Sequence, residues 1–289
     1  MTAMLTRSLF FAPANRPELL EKFPRIPADC FVIDLEDGTP HADKVEARQR
    51  LPERIDKLRT AAPNLRLFVR TNNTQTEFYE EDLRVAASCS VDGIVLPKIE
   101  KADDVRRAAD SLERQGRPPA VIGGIESMMG LLRVEALAEA ACGLVAVYFG
   151  AEDLASEIQA RRTPASLEVL YGRSRVVLAA RAFDIEPIDQ AVLEVRDDAR
   201  FTVDANFGRD LGYGGKICLL PRQVTLAHRA FSPTEEEINR AERIVSGYEE
   251  AMRRGHGTVD LDGQMIDGPL LKRARRILDV AAQVGSGSA

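Results

Sequence analysis

Residues 93–100 read GIVLPKIE and residues 30–37 read CFVIDLED, and in each an apolar run ends abruptly in charged residues. A strand that is apolar over most of its length, without polar alternation, is one buried on both faces, as in a parallel sheet covered by helices. Runs of the same kind recur at 7–13, 65–72, 120–126, 144–153, 190–196 and 216–221. Between the runs lie stretches with helical spacing, such as 101–115, 128–140 and 166–182, each long enough to cross back over a sheet. Eight strand and helix alternations in roughly 250 residues predict an α/β fold, a (β/α)8 TIM barrel, ahead of an open doubly wound sheet.

After the eighth run, SPTEEE at 232–237 reads as a helix start, with Ser232 or Thr234 as cap and acids in the first turn. That helix is expected to reach about Arg254, where Gly255 and Gly257 stop it. A polar loop, DGQMIDGP at 262–269, then leads into a last helix from about Leu270. No Gly/Ser/Pro linker divides the chain before the GSGSA tail. The expected organisation is therefore one domain, 1–289, with about 232–289 as a C-terminal helical extension and loop.

The 289 residues are 45% hydrophobic and 29% charged, which excludes a disordered chain. With 39 basic against 45 acidic residues the net charge is −6, so a nucleic-acid partner is not expected. The one basic cluster, Lys272 to Arg276, lies next to Ile277 and Leu278 and reads as the solvated face of a terminal helix. No stretch approaches the ~18 apolar residues a membrane span needs, and the start lacks a secretory pattern, so a cytoplasmic protein is expected. Cys30, Cys89, Cys142 and Cys218 are widely separated and read as small buried apolar residues rather than a metal or disulfide frame.

Barrels of this kind place their chemistry at the C-terminal ends of the strands. There the sequence puts Asn15 and Arg16, then Asp34, Glu36 and Asp37, then Arg70 and Asn72, then Lys98, Glu126, Glu152 and Asp153. Carboxylates from separate strands converging on a dry rim repel one another, and a divalent cation is the simplest remedy. Mg2+ takes one or two protein carboxylates and keeps several waters, a role that suits Glu126 and Asp153. Arg70 is suited to clamp a substrate carboxylate through two parallel hydrogen bonds. A second reading stands beside this one, in which Arg70 and Lys98 only neutralise Asp34, Glu36 or Asp37 in a structural network. Gly123-Gly124 lacks a phosphate-loop frame and reads as packing glycine, Met128-Met129 as core filling, and His41, His228 and His256 as surface residues.

The segments RSLFFAPANRPE, FVIDLEDGTP, LFVRTN, GIVLPKIE, IES, GAEDLA, GKICLLPRQV, FSPTEEE and DGQMIDGP follow one another in this chain. In that order, from about Arg7 to Leu278, they resemble the citrate lyase beta-subunit-like family of the HpcH/HpaI aldolase group. The resemblance implies a lyase that cleaves or forms the carbon–carbon bond of a 3-hydroxyacyl thioester such as malyl-, citramalyl- or citryl-CoA. The products are an acyl thioester and a 2-oxo acid, Mg2+ is the implied cofactor, and trimers or hexamers are the implied assemblies. By position it implies Glu126 and Asp153 as metal ligands, Arg70 as the clamp on the 2-oxo acid, and Glu36 and Asp37 as holders of metal-bound waters and the arginine. It also implies Arg16 and Lys22 against coenzyme A phosphates, and Asp267 as an acid/base residue that a neighbouring subunit inserts in some relatives.

The chain departs from the family in one place: it has Leu220-Pro221 where many members carry His-Pro, so no contact through an imidazole is carried over. Three other functions fit the same residues: a thioester hydrolase, a class II pyruvate aldolase that does not use coenzyme A, and a non-catalytic barrel that binds a small acid.

Overall fold

The computed structural model describes residues 5–140 and 142–286. The chain divides into two compact units, 1–231 and 232–289. In the first, eight parallel strands close into a barrel in sequence order: β1 (Ser8–Pro13), β2 (Cys30–Asp34), β3 (Leu67–Arg70), β4 (Gly93–Leu96), β5 (Val121–Ile125), β6 (Leu144–Phe149), β7 (Glu186–Asp189) and β8 (Gly215–Cys218), with β8 pairing back to β1. The two-residue period of each strand sorts its side chains. Leu9, Val32, Phe68, Val95, Ile122, Ala146 and Ile217 fill the interior, while Phe10, Phe31, Val69, Ile94, Val121 and Val147 pack outward with the helices. The helix Ala102–Glu113 shows the complementary period, burying Val105, Ala108, Ala109 and Leu112 at helical spacing.

Within the first unit, several details differ from the sequence reading. The seventh strand is Glu186–Asp189, and residues 190–196 follow it as an irregular segment. Its Pro187 and two acids disguise it, yet all four residues are buried and the Pro187 carbonyl accepts from the Gly214 N–H. The stretch 128–140 forms two helices, Met128–Leu132 and Val134–Ala140. Met128 and Met129 are exposed rather than core. Cys142 is exposed too, in the turn before β6, while Cys30, Cys89 and Cys218 are buried. His228 is partly covered, with Nε2 2.9 Å from Ser8 Oγ, and burial pushes its pKa down.

In the second unit, helix Glu235–Arg253 starts with a reciprocal capping box: Thr234 Oγ1 accepts from the Glu237 N–H, and Glu237 accepts from the Thr234 N–H. The segment expected as a loop contains a hairpin, β9 (Val259–Leu261) and β10 (Gln264–Ile266), before the helix Gly268–Ser286. Its two-residue turn is Asp262-Gly263 with φ of 56° and 78°, the Asp-Gly chemistry that matches the twist of paired strands. Ala241, Ile244, Ile266 and Ala274 form this unit's core. Among the described residues no helix is long and apolar enough to cross a membrane.

Candidate active site

The inward phase of each strand continues past its apolar residues into polar ones at the C-terminal end. Val32 is followed two residues on by Asp34, Phe68 by Arg70, Ile122 by Gly124 and then Glu126, and Ala146 by Tyr148 and then Gly150. Strand register decides who meets whom. Asp34 is the partner of Arg70 across β2 and β3, and Gly124 is the partner of Tyr148 across β5 and β6.

A cavity of about 450 Å3 opens over these residues, lined by Phe11, Asp34, Asp37, Arg70, Glu126, Tyr148, Gly150, Glu152, Asp153 and Leu219 among others. A larger hollow of about 600 Å3 lies outside the barrel against helices Pro17–Leu20 and Leu51–Ala61. Its charges include surface pairs such as Lys57 with Glu53, and none of its lining comes from a barrel strand. The chemistry is concentrated at the barrel mouth.

Asp34 grips Arg70 in a two-point fork, with Nε to Oδ1 and Nη2 to Oδ2 both 2.7 Å, while Arg70 Nη1 lies 2.9 Å from Glu36 Oε2. The Arg70 guanidinium carbon lies 5.0 Å over the Phe11 ring, which also meets the Tyr148 ring edge-on. Burial would raise the Asp34 carboxyl, but Arg70 outweighs it and holds the group below its ordinary range. Glu36 has no such fork. Burial drives its pKa up to about 8, and Arg70 opposes this while Glu126 and Asp37 reinforce it.

Glu126 follows β5 and is 4% exposed; burial raises its pKa against the pull of Arg70 and Tyr148. Its Oε1 accepts from Tyr148 Oη at 2.5 Å and from the Lys98 backbone N–H at 3.1 Å. To aim that N–H, Lys98 adopts φ of 49°, a strained conformation for a residue with a side chain. The Lys98 ammonium stands 3.5 Å from Glu36 Oε1 and 3.5 Å from Asp153 Oδ1, so it partly neutralises both. Ser127 ends the motif as a cap: its Oγ accepts from the Gly130 N–H and donates to Glu100. Asp153 sits in the first turn of helix Ala151–Glu157 and is half-exposed.

The structure thus brings Arg70, Asp37, Glu126 and Asp153 to one cavity, with Glu36 against Arg70. Arg16 and Lys22 follow β1, are exposed, and are not among the cavity's lining residues; Arg16 pairs with Glu18 at 2.5 Å. Asp267 lies in the second unit, where its Oδ1 accepts from the Leu270 N–H at the start of the last helix. Leu220 precedes helix Pro221–Phe231, and its N–H, like that of Leu219, donates to Gln223 Oε1. Tyr148 and Phe11 were missed by sequence reasoning. A hydroxyl-bearing ring at an inward position of LVAVYF was the available signal for Tyr148.

The donor set fits a hard divalent cation. Buried Glu36 and Glu126 both resist ionisation in the absence of added positive charge, which is the condition a bound cation relieves. Among the described residues no cage of three or more His, Cys, Asp or Glu ligands is present; the carboxylates lining the cavity are Asp34, Asp37, Glu126, Glu152 and Asp153, of which Asp34 is taken by Arg70 and Glu152 by Arg162.

A family model described as HpcH/HpaI aldolase/citrate lyase matches residues 7–221. The chain is 40% identical over 277 residues to a citrate lyase subunit beta-like protein of Deinococcus radiodurans, covering 95% of this chain and 96% of that one. It is 31% identical to the mitochondrial citramalyl-CoA lyase of Homo sapiens, covering 96% and 86%. Among solved structures, the CitE protein of Mycobacterium tuberculosis in complex with magnesium, acetoacetate and coenzyme A superposes with a TM-score of 0.79 at 29% identity, covering 95% of this chain and 97% of that one.

Proposed function

The chain belongs to the HpcH/HpaI aldolase/citrate lyase family, and from that membership we propose a carbon–carbon lyase acting on a 3-hydroxyacyl thioester such as malyl-, citramalyl- or citryl-CoA, with Mg2+ as cofactor. The observation that carries this reading is the meeting of Arg70, Glu126 and Asp153 in one carboxylate-rich cavity at the C-terminal end of the barrel. The names of the relatives support a coenzyme A thioester as the substrate class.

Glu126 and Asp153 hold the cation in this reading. Bound there, it supplies Lewis acidity to the substrate hydroxyl and its neighbouring carboxylate. Arg70, anchored through Nε and Nη2 by Asp34, offers its remaining N–H groups to the substrate carboxylate. Glu36 and Asp37 order water and the arginine beside it. Water ordered by Glu36 and Asp37 takes the hydroxyl proton, the O–H pair becomes the carbonyl, and the carbon–carbon pair passes to the thioester as an enolate. Asp267 of a neighbouring copy, in a trimer or hexamer, protonates that carbon. Arg16 and Lys22 receive the phosphates of the carrier. A cytoplasmic setting accords with such a substrate.

The test is a panel of hydroxyacyl-CoA compounds supplied with Mg2+ and assayed for 2-oxo acids. Release of a 2-oxo acid is expected; release of the intact hydroxy acid identifies a hydrolase instead. With the active compound, Asp267→Asn is expected to lower turnover by a factor on the order of 100 with metal binding intact. Unchanged turnover removes Asp267 from the reaction.

A further inference from the structure

Glu126 is held by an arrangement that acts on only one of its oxygens. Among the described residues both hydrogen bonds to the carboxylate, from Tyr148 Oη and the Lys98 N–H, end on Oε1. Two glycines make the space. A Cβ at Gly124 would stand 2.3 Å from Glu126 Oε1 and 2.4 Å from Tyr148 Oη, and a Cβ at Gly150 would stand 2.6 Å from both Glu126 Cγ and Oε2. Neither position tolerates a side chain without moving the carboxylate. Tyr148 is itself fixed: it is 1% exposed, and Phe11 meets its ring edge-on at 6.3 Å. Among the described residues its hydroxyl donates to the Glu126 carboxylate, which lines the cavity.

We propose that Tyr148, with Gly124 and Gly150 as the walls of the slot, is a positioning residue that occupies Glu126 Oε1 and so leaves Oε2 for the cation. The inference rests on the metal-site reading above and adds to it how the ligand is aimed. A carboxylate with both oxygens free rotates and can chelate or turn away; one with a saturated oxygen presents only the lone pairs of the other. Outer partners of this kind are worth about 10- to 100-fold in metal affinity.

The experiment measures Mg2+ and Mn2+ binding to the full-length protein by calorimetry, alongside kcat and KM at several metal concentrations. Tyr148→Phe removes one oxygen atom from the slot. Its dissociation constant for both ions is expected to rise about tenfold or more. Saturating metal should return kcat to within a fewfold of the parent, and the chelator-treated protein should keep its near-ultraviolet circular dichroism. A fall in kcat with metal affinity unchanged would assign Tyr148 a different task and overturn the proposal.

Glu126→Gln separates the two levels of the argument. Binding lost in Glu126→Gln but unchanged in Tyr148→Phe overturns the positioning role alone; binding unchanged in both overturns the reading of the cavity as a metal site. Should Tyr148→Phe not fold, Gly150→Ala presses on Oε2 from the opposite wall without touching the phenol. Weakened metal binding in a folded Gly150→Ala supports the slot, and parental affinity overturns it.

Discussion

The barrel holds two charge clusters, one shut away from solvent and one at its open mouth, built on opposite principles. Between its wall and the surrounding helices, Arg173 and Lys216 meet Asp189 and Asp204. Arg173 Nη2 lies 2.5 Å from Asp189 Oδ2, and Lys216 Nζ lies 2.8 Å from Asp189 and 2.5 Å from Asp204. Two cations face two anions, all four nearly devoid of solvent contact. Burial would raise the Asp204 carboxyl, yet Lys216 and Arg173 outweigh it and hold its pKa down to about 2.

At the mouth, Asp34, Glu36, Asp37, Glu126 and Asp153 surround Arg70 and Lys98, and only Asp34 receives a full two-point partner. There Glu36 is pushed up to about 8 and Glu126 is raised as well. A balanced cluster is complete in itself and holds the barrel wall to its helices. An unbalanced one remains costly until something cationic arrives, which is how a binding site differs physically from a structural joint.

The largest expected effect comes from breaking the balanced cluster. Arg173→Met strands two buried carboxylates on one lysine and is expected to cost about 3–5 kcal/mol of stability in urea unfolding. Turnover per folded molecule should stay within a fewfold of the parent. A loss below about 1 kcal/mol would mean the quartet is solvated and the contrast with the mouth is false.

An intermediate effect appears on acidification. The folded-state pKa of Asp204 lies below its ordinary 3.8, so its contribution is present above about pH 4 and drains away as pH falls toward 2. Roughly 2 kcal/mol of pH-dependent stability is expected in that window, and Asp204→Asn should flatten it. The check is urea unfolding at closely spaced acidic pH.

The smallest effect has the opposite sign and belongs to the mouth. Because the folded pKa of Glu36 is raised from 4.5 to about 8, its neutral form favours the folded state; that stability is full below about pH 4.5 and is lost as pH rises through 8. With chelator present, Glu36→Gln should flatten this alkaline decline. The difference is on the order of 1 kcal/mol, since water entering the open mouth screens the charge. A parent protein whose stability is level from pH 5 to 8 would remove the asymmetry between the two clusters.

Much of the mouth was legible because charged residues end apolar runs in the inward phase: Asp34 after Val32, Arg70 after Phe68, Glu126 after Ile122. Tyr148 escaped because an aromatic inside LVAVYF reads as filling, and nothing local reveals the carboxylate opposite its hydroxyl. The quartet escaped for a related reason. Arg173 lies in a helix and Asp189 at the end of a strand whose proline hides it, and isolated charges in such places read as solvated. Asp262-Gly263 did carry a recognised turn signal, but the short polar flanks masked the hairpin around it.

The order of the apolar runs and the charged residues that end them determined the barrel and the excess of acid at one end, because these follow from the chain residue by residue. Which groups meet was decided only by closure. Register set Asp34 against Arg70 and Gly124 against Tyr148, and burial then made one set of charges a finished joint and left the other short of positive charge. Contact and desolvation act between segments tens of residues apart in the chain, so they exist only once the eight strands have closed.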